Sequence, residues 1–121
     1  MELQFEKETN DVRGKILMLR YGDKRINLVE TKKGFSRGGH YHSFESKHIL
    51  MSGILEYREK NLQLNAEKTQ TPSAPFVIVT PPMTPHMITA ITDCIFAEEF
   101  EQDYSATDYP EYRTIITQKM I

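Results

Sequence analysis

The chain reads as all-β, an antiparallel sandwich or barrel, and three features of its sequence predict this. Its apolar runs are short and rich in β-branched residues, as in RINLVET (25–31) and FVIVT (76–80). Turn signals separate them at close intervals, and no stretch sustains the 3.6-residue period of a long amphipathic helix. Many short strands at such spacing close into a sandwich or a barrel.

Taken in order, Leu3 and Phe5 alternate with charged or polar neighbours in a first strand. Lys15 to Tyr21 and Arg25 to Thr31 flank Gly22-Asp23, a hairpin turn. Lys33-Gly34 marks the next break. Lys47 to Ser52 and Ile54 to Glu59 flank Ser52-Gly53, which predicts a second hairpin. Asn65 to Pro75 is polar, holds two prolines and reads as a loop. Phe76 to Thr80 is a strand stopped by Pro81-Pro82, and Met87 to Thr92 and Cys94 to Phe100 are strands around Asp93. The tail from Ala106 to Met120 supports two readings. Asp108-Tyr109-Pro110-Glu111 can cap a short helix, or Arg113 to Thr117 can form a last strand.

A length of 121 residues suits one domain over 1–121 with a real core. Charged residues at 26% and the hydrophobic set at 39% fit a globular chain rather than a disordered one. A formal charge of -2 gives no general pull toward nucleic acid or an anionic membrane. Cys94 is the one cysteine, so neither an intrachain disulfide nor a thiolate cluster can form, and a metal site must use histidine and carboxylate. There is no basic-plus-apolar leader and no apolar run near the ~20 residues that span a bilayer, so the expected location is cytoplasmic.

Chemistry concentrates in GFSRGGHYHSFESKHILMSG, residues 34 to 53. His40 and His42 lie two apart, so in a strand their imidazoles project from one face and can converge on a metal ion or a substrate. His48 follows, and the fourth histidine, His86, closes PPMTPH. The expectation is that these two segments meet in one pocket.

With those residues in view, the chain resembles the cupin superfamily of small jelly-roll β-barrels. Gly34, His40, His42 and Gly53 fall on the spacing of its first motif, and Pro81 and His86 on that of its second. The resemblance implies a single cupin barrel with a short C-terminal helix or an exchanged strand. It also implies a divalent metal (zinc, iron, nickel or manganese) held by His40, His42 and His86. The departures are specific. Ser46 stands where the family has its ligand glutamate, with Glu45 one residue earlier, able to reach a metal only through a bulge. Pro75, Met83 and Ala90 replace two glycines and an asparagine of the second motif.

His48 shares a strand face with Ser46 but lies one residue pair, ~6.6 Å, further along, too far to replace the glutamate. It is expected to pack in the core, to support a ligand, or to act as general acid/base. Tyr57 and Glu98 join it as candidate catalytic residues, because alternation with Leu55 and with Phe96 and Phe100 turns them inward. A carboxylate placed so is costly unless paired or protonated, although alternation equally allows Glu98 a rim position. Cys94, on the same face, is expected to fill core.

A narrower resemblance concerns Arg37-Gly38-Gly39-His40-Tyr41-His42, which is similar to a segment of sugar-nucleotide epimerases and ketoisomerases and of polysaccharide-biosynthesis cupins. EQDYSATDYPEYR near the end is faintly similar to the ketoisomerase tail. This implies Arg37 as a phosphate-binding, cofactor-site residue and His40 as a base, against the plainer reading of Arg37 as a solvated or salt-bridged rim residue.

The favoured expectation is a metal-binding cupin that binds or acts on a small molecule, by dioxygenase-type or other Lewis-acid chemistry if it is an enzyme. The alternatives are a metal-independent sugar-nucleotide isomerase or epimerase, and a non-catalytic ligand-binding cupin. A homodimer is expected through outward apolar strand faces or an exchanged terminal strand. Met87 and Ile91, opposite His86, are expected to meet a second sheet or that partner.

Overall fold

The computed structural model describes residues 1–100 and 105–121. Its strands are β1 (Leu3–Asp11), β2 (Gly14–Tyr21), β3 (Lys24–Thr31), β4 (Ser36–Tyr41), β5 (Ser46–Ser52) and β6 (Leu55–Asn61). They continue as β7 (Ala66–Gln70), β8 (Phe76–Thr80), β9 (His86–Ala90), β10 (Cys94–Phe100) and the two-residue β11 (Thr107–Asp108), followed by helix α1 (Pro110–Lys119). One sheet runs β1-β2-β3-β10-β5-β8 and the other β11-β4-β9-β6-β7, with antiparallel neighbours throughout. The short runs predict an all-β sandwich or barrel, and this is one, in the jelly-roll form that the cupin resemblance implies.

The hairpin at Gly22-Asp23 is present, with Tyr21 facing Lys24. The second expected hairpin is not. β5 pairs with β10 and β8 while β6 pairs with β9 and β7, so Ser52-Gly53 is a corner where the chain changes sheets. A Cβ on Gly53, at φ +92°, would strike the Asp93 carbonyl oxygen, so this corner admits only glycine. The polar stretch 65–75 contains β7, an edge strand paired with β6. Nearly all of β7 is exposed, so it carries no apolar alternation to announce it.

Between the sheets lies a core that includes Val29, Leu50, Leu55, Tyr57, Ile88 and Phe96, with Cys94 buried among them as expected. Across the six-stranded sheet the register sets inward rows. Ile16, Val29, Phe96 and Leu50 form an apolar one, and Met18, Asn27, Glu98, His48 and Ile78 a mixed one beside it. The outward face of the same sheet is apolar too, with Leu17, Leu28, Ala97, Ile49 and Val77 in one row.

The tail resolves as a helix. Pro110 sits in its first turn and Tyr109 at its N-cap. Tyr112 and Ile116 bury against Met87, so Met87 is covered by α1 rather than by a second sheet or a partner, while Ile91 stays exposed. Tyr112 donates to Glu67 at 2.8 Å, and Lys119 to the Ser36 hydroxyl at 3.0 Å. The expected likeness of EQDYSATDYPEYR to a family tail falls partly on residues 101–104, outside the described residues.

Candidate metal centre

β4 carries the site, and its two glycines aim it. Residues three apart on a regular strand face opposite ways, yet Arg37 and His40 both face inward. The register moves from Gly38 opposite Met87 directly to His40 opposite His86, leaving Gly39 as the extra residue of a β-bulge. Gly38 and Gly39 hold φ of +93° and +74°. A Cβ on Gly39 would come within 2.8 Å of Ile116 Cδ1 and 3.2 Å of the Arg113 backbone nitrogen, so glycine also lets α1 lie close on β4.

The bulge brings His40 against His86 across the β4–β9 pair, and His42 joins them from just beyond β4. Ring centroids lie 4.7 Å apart for His40 and His42, 5.0 Å for His40 and His86, and 5.5 Å for His42 and His86. One ring nitrogen of each lies within 4.8 Å of the others. Two of the rings are oriented by main-chain carbonyls, His42 Nδ1 bonding the Ser105 oxygen at 2.7 Å and His86 Nδ1 the Thr84 oxygen at 3.0 Å. A carbonyl only accepts, so both rings carry the proton on Nδ1 and turn an Nε2 lone pair outward. Burial first, and then neighbouring imidazoles, hold His40 and His86 down to about 3, so both rings are neutral at neutral pH. Phe44 stacks on His42 at 4.9 Å and Phe100 meets it edge-on at 6.0 Å, which gives the cluster an apolar flank. Three imidazoles brought this close, two of them oriented by carbonyls, fit a divalent transition metal.

Ser46 and Glu45 divide as strand alternation requires. Ser46 is buried on β5 and its hydroxyl has no hydrogen-bond partner among the described residues, whereas Glu45 is exposed and stands outside the cluster. No bulge turns Glu45 inward.

His48 is buried, its ring 5.8 Å from that of His86 and 5.7 Å from that of Phe96. Glu98, directly opposite it on β10, places an oxygen 3.8 Å from His48 Nε2, and His48 Nδ1 is unpartnered among the described residues. Burial lowers His48 to about 4 and raises the Glu98 carboxyl, against which Asn27, His42 and Arg37 pull down. Tyr57 is buried on the inner face of β6. Its hydroxyl donates to Glu59 at 2.8 Å and lies 2.7 Å from the Thr80 hydroxyl, and burial pushes the phenol well above its ordinary value.

Arg37 is not a solvated rim residue. It is 6% exposed and spans the two sheets, donating Nε to the Thr31 hydroxyl at 2.9 Å and Nη2 to the carbonyls of Glu30 at 2.8 Å and Gly14 at 3.3 Å. Burial, and then the charge of Arg13, lowers it to about 10, and it stays a cation at neutral pH. Beside His40 opens a cavity of about 520 Å³ walled by Arg37, Glu98 and three residues that the motifs did not reveal, Arg25, Asn27 and Arg113.

No family model and no curated protein matches the sequence. Solved structures do match the fold. The capsular polysaccharide assembling protein CapF from Staphylococcus aureus is 19% identical at TM-score 0.72, over 82% of this chain and 31% of its own. Lactobacillus farciminis oxalate decarboxylase in a formate complex is 21% identical at TM-score 0.74, over 90% and 35%. A conserved Streptococcus pyogenes protein of unknown function is 19% identical at TM-score 0.60, over 74% and 75%. The chain thus spans about a third of the length of CapF and of the decarboxylase. These likenesses, with the two antiparallel sheets, show the fold: the chain has the cupin fold.

Proposed function

We propose that the protein binds a divalent metal through His40, His42 and His86 and uses it to hold or transform a small molecule. The carrying observation is the convergence of three imidazole nitrogens within 4.8 Å, two of the rings locked by carbonyls. A metal bound there supplies a Lewis acid that polarises a ligand oxygen. Manganese centres are described in Bacillus subtilis oxalate decarboxylase, 17% identical over 85% of this chain, which supports a metal without selecting it. The chain's own residues provide the rest. His48 and Glu98, 3.8 Å apart, can share and deliver a proton on the inner face of β5 and β10. Tyr57, tied to Glu59 and Thr80, braces β6 against β8 and keeps its proton. Glu45 has no part in this proposal.

Elemental analysis of protein purified without a polyhistidine tag tests the reading. One divalent ion per chain, lost in folded His40→Ala and His86→Ala, supports it; metal-free protein that takes up none at neutral pH refutes it. The second reading, a metal-independent sugar-nucleotide isomerase, draws support from the likeness to CapF. Against it, Arg37 already spends two of its three nitrogens on protein acceptors. Stabilisation by nucleotide sugars that Arg37→Ala removes would favour it.

The homodimer also belongs to this proposal. A two-fold interface needs one self-complementary patch, and the outward face of the six-stranded sheet offers a broad apolar one. Val77, Val79 and Ile95 on it are each more than 40% exposed.

A further inference from the structure

We propose that the cavity beside His40 binds a small organic acid, its oxyanion held by Arg25 with Arg37 and Arg113 and its carbon skeleton directed toward the histidine cluster. Among the described residues the wall carries four arginines against two carboxylates, Glu98 and Asp108. One arginine, Arg13, is answered by Asp11 at 2.8 Å. The other three lean on neutral acceptors or on none. Arg37 donates to carbonyls and a hydroxyl, and Arg113 Nη1 donates to the Gly38 carbonyl at 3.1 Å. Arg25 Nε is buried without a hydrogen-bond partner among the described residues.

Guanidinium groups that outnumber the carboxylates of a concave wall create a positive potential, and their planar forks suit a carboxylate or a phosphate. Buried Asn27, 8% exposed, presents an Oδ1 with no partner among the described residues, an acceptor left for a ligand hydroxyl. Ile16 and Met18 supply an apolar stretch of wall for a short carbon chain. A volume of about 520 Å³ has room for a small metabolite. Of the three clustered histidines only His40 shares this wall, so the cavity is the approach to the cluster. The inference rests on the metal reading only for what meets the far end of the ligand.

The test is calorimetric titration of metal-free and zinc-loaded protein with malonate, succinate, inorganic phosphate and neutral malonamide. Malonate or succinate should bind both forms, with affinity cut about tenfold or more in Arg25→Gln and restored in Arg25→Lys. Binding of phosphate alone, with the same response to Arg25, identifies the ligand as a phosphate ester and keeps the arginine site. Malonamide binding as tightly as malonate, or anion binding indifferent to Arg25→Gln, overturns the proposal. Binding seen only in the zinc-loaded form does so as well, because the anion would then be a metal ligand. Zinc stoichiometry measured on the same samples keeps failure here distinct from failure of the histidine site. Unfolding curves of both variants confirm that they fold.

Discussion

Replacing Gly39 by alanine is expected to loosen α1 and the histidine cluster together. The position has φ +74°, where an L side chain costs about 1–2 kcal/mol. The added Cβ would also lie 2.8 Å from Ile116 Cδ1, 2.9 Å from Arg113 Cδ and 3.2 Å from the Arg113 backbone nitrogen. Ile116 Cδ1 ends its side chain and Arg113 Cδ lies along a flexible one, so these two can shift. The third is backbone, so the helix itself must move, and such overpacking costs about 1–3 kcal/mol. The sum, about 2–5 kcal/mol, is a large part of the ~5–15 kcal/mol that ordinarily holds a domain folded. Urea unfolding at constant m-value reads it directly. Gly34→Ala is the control, since Gly34 has φ +89° with nothing within 4 Å of the new Cβ and should lose only the strain. Because Gly39 is the bulge residue that turns His40 inward, zinc affinity should fall in Gly39→Ala and hold in Gly34→Ala. A Gly39→Ala change below about 0.5 kcal/mol, with zinc affinity intact, would refute the account of the bulge.

Four further outcomes follow from the same geometry. Metal-free protein should lose stability in acid. Burial holds His40 and His86 near 3 and His48 near 4, against about 6.5 in an open chain, so on acidification the unfolded chain takes up protons first. The stabilisation is complete above pH ~6.5 and drains as pH falls toward 3, by about 4 kcal/mol for three rings between pH 7.5 and 5.5; a flat denaturation profile over that window contradicts the burial of neutral rings. Ser46→Glu should raise zinc affinity and lower metal-free stability, because it places a carboxylate at a buried position whose hydroxyl is unpartnered among the described residues; chelator competition that finds a folded variant unchanged sinks this. Ile116→Ala should cost about 2–5 kcal/mol in thermal or urea unfolding by opening the contact of α1 with Met87. Leu28→Lys, on the outward apolar row, should convert dimer to monomer in light scattering; a wild-type chain that is already monomeric rejects the dimer.

The legible parts of this chain were those with a local signature. β-branched runs and the Gly22-Asp23 turn marked strands and the first hairpin, and the histidine spacing marked the cluster. Ser52-Gly53 misled because a tight turn looks the same whether the next strand returns beside the last or crosses to the other sheet. β7 stayed hidden since an edge strand exposed on both faces buries nothing that would leave a pattern. Met87 was assigned an outside cover because Tyr112 and Ile116, two apolar contacts on a short helix, make a weak amphipathic stripe. Arg25 and Asn27 escaped notice for a plainer reason. On RINLVET the apolar Ile26 and Leu28 suggest the inner face, yet both faces of this sheet are apolar in part, and the polar pair points into the cavity.

In the proposed function His40, His42 and His86 bind one metal ion together. Titrating metal-free protein with zinc while following the four imidazole signals by nuclear magnetic resonance tests it most directly. Three rings should change to the Nε2-bound state and saturate at one equivalent, with His48 keeping an unligated signature. Saturation with fewer than three rings engaged, or no saturable change at all, would contradict the account.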